Sequence, residues 1–326
     1  MKWTAVSGAV CVGCLVAVEV LAAGSPGLGG QTTAEEQCSL AVVSRLVGSA
    51  EKVCDREVVR QMASHGQAFA QNQLGIASIL AIGSDYDEKK ALVWFERAAQ
   101  RGYAPAQVNL AVMYMNGWGT AVNYGAAQHW LRAAADQKYA LAYYNLGLLY
   151  LDGKGVRQDN AEAFRWFQKG AEAGDGSSAT NLGYFYDQGI ACERNLGKSV
   201  ELYRKAAEAG NPFGQNNLAD LYLRGEGIRQ DDAAAFAWFQ KAASQGHTGA
   251  RIKLGFLYAN GRGTAKNLVA AYVWISAATV AGDARGKELL SSVEKLLTPQ
   301  QLAHGREQAE RLRGSEHELS ARSFAQ

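Results

Sequence analysis

With 326 residues, 48% of them hydrophobic and 20% charged, the chain can bury a large core, and a globular prior would divide it into about two domains. Lys+Arg of 33 against Asp+Glu of 31 leaves a net charge of +2 with no basic block, which argues against nucleic acid as a partner, since that needs rows of cations. Four prolines against 36 glycines make glycine placement decisive, because glycine weakens a helix unless it sits where positive φ is wanted.

In chain order, Lys2, an apolar run from Trp3 to Val18 and the small residues Ala22, Ala23 and Gly24 have the layout of a cleaved secretory leader. We expect a signal peptide over 1–23, cut after Ala22 or Ala23. Glu19 interrupts the apolar run, and a retained membrane helix wants about 20 apolar residues. Acylation at Cys14 is disfavoured by Cys11-Val12-Gly13 upstream of it. No later segment could span a bilayer, so no integral membrane segment is expected once the leader is removed. Residues 24–66 are expected to form an N-terminal segment with capping helices. Beyond the leader stand Cys38, Cys54 and Cys192, in a compartment that would be oxidising. Cys38 and Cys54 are the candidate disulfide. One unbroken helix from Ser39 to Val53 would hold their sulfurs too far apart, so a bond requires a turn near Gly48; buried or free thiols are the alternative. No Cys or His lies at metal-ligand spacing, and no cofactor is expected.

Self-similarity begins after residue 66. Trp94, Trp130, Trp166, Leu202, Trp238 and Trp274 are each 36 apart, and the same interval relates Leu110 to Leu254, Tyr114 to Tyr258, and Gly117 to Gly261. A second glycine series runs Gly66, Gly102, Gly174, Gly210, Gly246 and Gly282, with Lys138 as its exception. Each unit reads as two helices. In the example from Ala140 to Gly174, the first helix runs to about Asp152 with Leu146 and Tyr150 on one face, and Gly153-Lys154-Gly155 breaks it. Asp159 caps the second helix, and Asp87, Asn123, Asn195, Asp231 and Asn267 hold the same register. Gly174 ends the unit in the C′ position. Alanine pairs such as Ala134-Ala135 and Ala242-Ala243 let neighbouring helices approach closely. One helix pair cannot cover its own apolar face, so the units must stack into a curved superhelix.

The segment Asn145-Leu146-Gly147-Leu148-Leu149-Tyr150, then Asp152-Gly153-Lys154-Gly155-Val156 and AFRWFQKGAEAG from Ala163 to Gly174, resembles the Sel-one-like repeat, a relative of the tetratricopeptide repeat. The resemblance covers roughly residues 68 to 282. It implies an all-α, right-handed α/α superhelical solenoid of about six 36-residue helix pairs, an array over 67–282. Thr298-Pro299-Gln300-Gln301 resembles the start of a terminal cap, and capping helices are expected over 283–313, with a disordered tail over 314–326. The first unit is degenerate, with Ser78 in place of tyrosine. Lys253 replaces an asparagine, and the loop from Ala191 to Arg194, which lacks its second glycine, is expected to differ in shape.

Chemistry is sparse. The histidines His65, His129, His247, His304 and His317 are scattered, and no carboxylate pair stands out. Ser292-Val293-Glu294-Lys295 fits S-x-x-K but lacks S-D-N and K-T-G companions. The glycine loops are not phosphate cradles, since no strand precedes them and no G-K-[ST] follows. No catalytic and no metal-binding residue is assigned.

What the resemblance implies is a binding role. In the related tetratricopeptide architecture the first helix of each pair lines a concave face, and transferring that geometry selects Val108, Val112 and Met115, then Tyr144, Leu148 and Leu151, then Thr180, Tyr184 and Asp187, then Phe213, Asp220 and Arg224, then Ile252 and Phe256. Such an apolar and aromatic stripe marks a partner site, although Leu148 or Ile252 could equally pack against the next unit. The resemblance therefore implies a periplasmic, non-catalytic adaptor or inhibitor with a protein partner. The favoured specific reading is an immunity protein that neutralises a secreted (type VI) toxic effector. A scaffold for envelope, secretion or motility assembly is the alternative, and a hydrolase of cell-wall or β-lactam-like ligands is the distant one.

Overall fold

In the computed structural model, residues 56–80 and 86–325 are described, with side chains described from 59 to 314. The expected leader, Cys38 and Cys54 lie outside the described residues. All regular structure among them is helical: α1 (Arg56–Ser64), α2 (Ala68–Ile79), α3 (Glu88–Gln100), α4 (Ala104–Asn116), α5 (Tyr124–Asp136), α6 (Ala140–Asp152), α7 (Asn160–Glu172), α8 (Gly176–Gln188), α9 (Leu196–Glu208), α10 (Pro212–Arg224), α11 (Asp232–Ser244), α12 (Thr248–Asn260), α13 (Leu268–Val280), α14 (Arg285–Glu294) and α15 (Pro299–Ala325). The pairs α2/α3 to α12/α13 are the six repeats of an α/α solenoid. Two compact units divide at Trp166 and Phe167, the second running to Glu318.

Local rules set the helix lengths. All six second helices start on a side chain that accepts a backbone N–H: Asp87 from Lys90 (2.9 Å), Asn123 from Ala126 (2.9 Å), Asp159 from Glu162 (3.0 Å), Asn195 from Lys198 (3.0 Å), Asp231 from Ala234 (2.9 Å) and Asn267 from Ala270 (2.9 Å). The N–H of each cap residue also bonds back to the carbonyl nine residues earlier, as Asn123 does to Tyr114 (2.8 Å) and Asp231 to Tyr222 (3.0 Å). The degenerate first unit keeps this bond, Asp87 to Ser78 at 3.0 Å, because a backbone carbonyl does not depend on its side chain. Lys138 takes the left-handed conformation of the glycines it replaces, at φ 61°. Ala191 does so too, at φ 56°, so the Ala191 to Arg194 loop keeps the helix ends of its counterparts and the expected difference in shape is absent.

The two helix types bury themselves differently. The second helix α3 is amphipathic, burying Ala91, Phe95, Ala98 and Ala99, one stripe at helical spacing; α13, the last of them, instead buries Ala271 to Val273 and Ile275 to Ala278. First helices are buried almost all round, α4 from Ala106 through Met113 without a break. The tryptophans at 94, 130, 166, 238 and 274 are only half-buried. The next residue fills the seam: Phe95, Leu131, Phe167, Tyr203, Phe239 and Ile275 are each 2% exposed or less. Facing Phe95, Tyr203 and Ile275 on the first helix are glycines, Gly75, Gly183 and Gly255. At Gly75, Gly183 and Gly255 an added Cβ would stand 2.5 Å from Phe95, 2.8 Å from Tyr203 and 2.5 Å from Ile275. Arg97 and Lys241 then cover the outer faces of Trp94 (4.9 Å) and Trp238 (4.1 Å) as cation–π partners one turn on.

At the C-terminus the expected cap forms as a reciprocal box, Thr298 N–H donating to Gln301 Oε1 (3.0 Å) and Gln301 N–H to Thr298 Oγ1 (3.2 Å). Disorder was expected from Gly314, but α15 carries on as helix to Ala325. A single internal glycine costs a helix about 1 kcal/mol, too little to end it without a proline or a second breaker. His247 caps α12 by accepting the Ala250 N–H on Nδ1 at 3.0 Å, which requires a neutral imidazole. Burial, with Lys253 nearby, pushes its pKa down to about 4.

Three outcomes are expected. Gly183→Ala should destabilise by about 1–3 kcal/mol, although alanine is the better helix former by about 1 kcal/mol; denaturant unfolding that finds it stabilising contradicts the seam. Lys138→Gly should stabilise by about 0.5–1 kcal/mol by relieving a left-handed side-chain residue. An unfolded imidazole binds its proton near 6.5 and this one only near 4. The stability contributed by His247 is therefore complete above about pH 6.5 and drains away as pH falls toward 4. His247→Asn keeps an acceptor cap without the titration, so its melting temperature should fall less steeply across that window; parallel curves would refute the assignment.

Candidate protein-binding surface

In the first unit, α4 and α6 carry the sequence-selected residues. Val108 and Val112 are 0% and 1% exposed and belong to the core with Leu110 and Met113; both are corrected from surface to core, because α4 is wedged between its own partner and the helices on either side. Leu148, 9% exposed, is buried for the same reason. Met115, Tyr144 and Leu151 remain half-buried and reachable. Beside them, Tyr143 stacks on Trp166 with ring centres 6.1 Å apart and donates its hydroxyl to the Ala135 carbonyl at 3.1 Å.

In the second unit the corresponding face belongs to α8, α10 and α12. Thr180 and Ile252 are 8% and 7% exposed, hence internal. Asp187, at 8%, is also withdrawn: Arg194 Nε donates to its backbone carbonyl at 2.8 Å, and Gln188 donates to its carboxylate at 3.2 Å, so it holds the loop after α8. Tyr184 is half-buried against the cluster of Val200 and Tyr203. Phe213 and Phe256 stand out at 41% and 46% exposed. Phe213 meets His247 edge-on at 4.8 Å, so the neutral cap of α12 also props an exposed ring.

Charge on this face is neutralised internally. Asp220 pairs with Lys253, whose Nζ also reaches Asn216 Oδ1 at 3.2 Å and lies 5.3 Å from the Phe239 ring centre. Burial lowers the Lys253 pKa while Asp220 opposes that shift. Arg224 bonds Glu226 at 3.1 Å. The substitution of lysine for the register asparagine at 253 was visible in the sequence; its half-buried partner Asp220, seven residues after Phe213, was selected only as a contact residue. Sequence reasoning missed the contact of His247 with Phe213, since nothing local links positions 34 residues apart.

The arrangement offers contact area rather than reactive geometry. Ser292 Oγ donates to the Glu288 carbonyl at 2.9 Å on the exposed side of α14. His65 bonds the Gln61 carbonyl (2.7 Å) and His304 bonds Gln308 (2.9 Å). Among the described residues no three metal-ligating side chains come together, and no helix is long and apolar enough to cross a membrane. Cys192 is a free thiol whose pKa burial raises.

Comparison with known proteins follows the same architecture. A protective antigen of uropathogenic Escherichia coli with a Sel1-like repeat fold is 31% identical over 79% of this chain, with a TM-score of 0.63, and the chain spans 56% of that protein, little more than half of its length. A Sel1 repeat protein from Oxalobacter formigenes is 30% identical over 68% of this chain and 90% of its own, with a TM-score of 0.62. An immunity protein from Pseudomonas aeruginosa, at 18% identity and TM-score 0.49 over 66% of this chain and 81% of its own, is alike in fold only. No curated protein matches the chain. The Sel1 repeat model matches residues 68–103, 104–139, 140–175, 176–211, 212–247 and 249–283, and with these six repeats the chain belongs to the Sel1 repeat family.

Proposed function

We propose that this chain is a non-catalytic protein-binding scaffold that engages a folded partner through the exposed faces of first helices in the second unit, with Phe213, Phe256 and Tyr184 as anchors. The observation that carries this reading is the pair of phenylalanines on consecutive first helices, α10 and α12, at 41% and 46% exposure. The equivalent of Phe256 one repeat earlier is Asp220, and the equivalent of Phe213 one repeat later is Gly249, so the fold itself demands no aromatic at either place. Large rings left in water on a rigid backbone are what a partner buries at low conformational cost. Asp220, Lys253 and Arg224 form the polar margin, where paired charges add specificity more than affinity.

The finer proposal places the chain in the periplasm, where the leader-like stretch from Lys2 to Gly24 would send it, and makes the partner a secreted toxic effector held inactive by this contact. Phe213→Asp combined with Phe256→Asp should leave the melting temperature within a few degrees, since both rings are exposed, and should cut retention of the partner from periplasmic extract at least tenfold. Equal retention would contradict the surface assignment. A captured partner that belongs to peptidoglycan or outer-membrane assembly, rather than a toxic enzyme, would contradict the effector proposal alone.

A further inference from the structure

The cap of α12 and the Phe213 anchor depend on one side chain. First helices of the second unit begin on Asp175, Asn211 and His247, which share a register position. Asn211 accepts the N–H groups of Phe213 (3.0 Å) and Gly214 (2.9 Å), and His247 does the same work by accepting the Ala250 N–H on Nδ1 at 3.0 Å. Of the three, only His247 becomes a cation when it takes up a proton. Its ring also supports the exposed surface. Phe213 meets it edge-on with centres 4.8 Å apart, and Gly249 lies so near that a Cβ there would stand 3.2 Å from His247 Cε1. Gly249 holds on α12 the register position of Phe213, so it has no side chain to support Phe213 once the imidazole moves away.

Protonation removes what keeps the ring there. Nδ1 would then carry an N–H aimed at the Ala250 N–H, donor against donor, and the cation would sit at the positive end of α12. The surrounding charges do not compensate. Burial, followed by the Lys253 ammonium on the same helix, is what pushes the His247 pKa down to about 4. On α10, Asp220 is paired with Lys253 and Arg224 with Glu226; on α11, Lys241 lies over Trp238; on α12, Arg251 donates to the Ala243 carbonyl at 3.2 Å; and Asp283, ahead of α14, is paired with Arg285. The helix α13 contains no charged residue. Among the described residues no carboxylate pairs with the imidazole, so an imidazolium is driven out toward water.

We propose that His247 is an acid-released latch on the Phe213 anchor: the neutral imidazole holds the α12 cap and the Phe213 ring together, and uptake of a proton from solvent swings it outward, frees the ring and weakens partner binding. The link to binding rests on the protein-binding reading above, but the latch itself is tested without a partner. NMR on the full chain, with 13C-labelled histidine and phenylalanine, follows both rings from pH 7 to pH 3.5. His247 should titrate with a midpoint of about 4, the Phe213 ring signals should move with that same midpoint, and those of Phe256, two helical turns beyond Gly249, should stay flat. Circular dichroism over the same range should show the helix content holding. His247→Asn keeps an acceptor cap without the proton, so the Phe213 transition should vanish while the melting temperature at pH 7 stays within a few degrees. With a midpoint of about 4, roughly a quarter of the chains stay latched at pH 3.5, so partner retention there should fall about fourfold further in the native chain than in His247→Asn. A flat Phe213 signal through the His247 transition, a Phe213 transition that survives in His247→Asn, loss of helix at the same midpoint, or equal acid loss of retention in the two chains would overturn the latch. Undiminished retention at pH 7 by the chain carrying Phe213→Asp and Phe256→Asp would instead strike the protein-binding reading, so the two failures are read on different samples.

Discussion

Three of the repeats depend on one close approach, a glycine on the first helix set against a fully buried large residue on the second. Gly75 meets Phe95, Gly183 meets Tyr203 and Gly255 meets Ile275, at separations where even a methyl group would overlap. Full burial of a side chain that size contributes about 1.5–3 kcal/mol, and the contact recurs along the chain, so the array draws its stability from several equivalent seams rather than one central core. The half-buried tryptophans beside the seam act as lids, with Arg97 or Lys241 laid over their outer faces.

Uniform seams need uniform helices, and these come from the ends. Every helix from α3 to α13 has 13 residues, bounded at the start of the second helices by an aspartate or asparagine cap. The loop between helices closes on itself through the backbone bond from cap N–H to tyrosine carbonyl. Ala191 shows how strong that constraint is: a side chain in the left-handed region is tolerated rather than the loop being reshaped.

The helix ends were legible because caps and positive-φ glycines obey rules that act over three or four residues. Asp87, Asn123, Asp159, Asn195, Asp231 and Asn267 all cap as their spacing predicts. The inner and outer sides of the first helices were not legible. In α4 and α6 apolar residues run nearly all round the helix, so periodicity cannot separate core from surface there, and Val112 and Leu148 were selected for a surface they do not reach, as was Asp187 on α8. Tryptophan drew attention to position 94 and its equivalents, while the seam lies one residue later.

Rigid seams also give function its footing, since Phe213 and Phe256 can be displayed to a partner at a fixed separation only if α10 and α12 cannot slide over the helices beneath them. A double-mutant cycle on Gly255→Ala and Ile275→Ala measures that lock directly. If the seam governs, removing Cγ1 of the large partner, which would stand 2.5 Å from the added methyl, makes room for it, and the double variant is more stable than the sum of the singles by at least about 0.5 kcal/mol. Strict additivity, or a Gly255→Ala variant no less stable than the native chain, would contradict it.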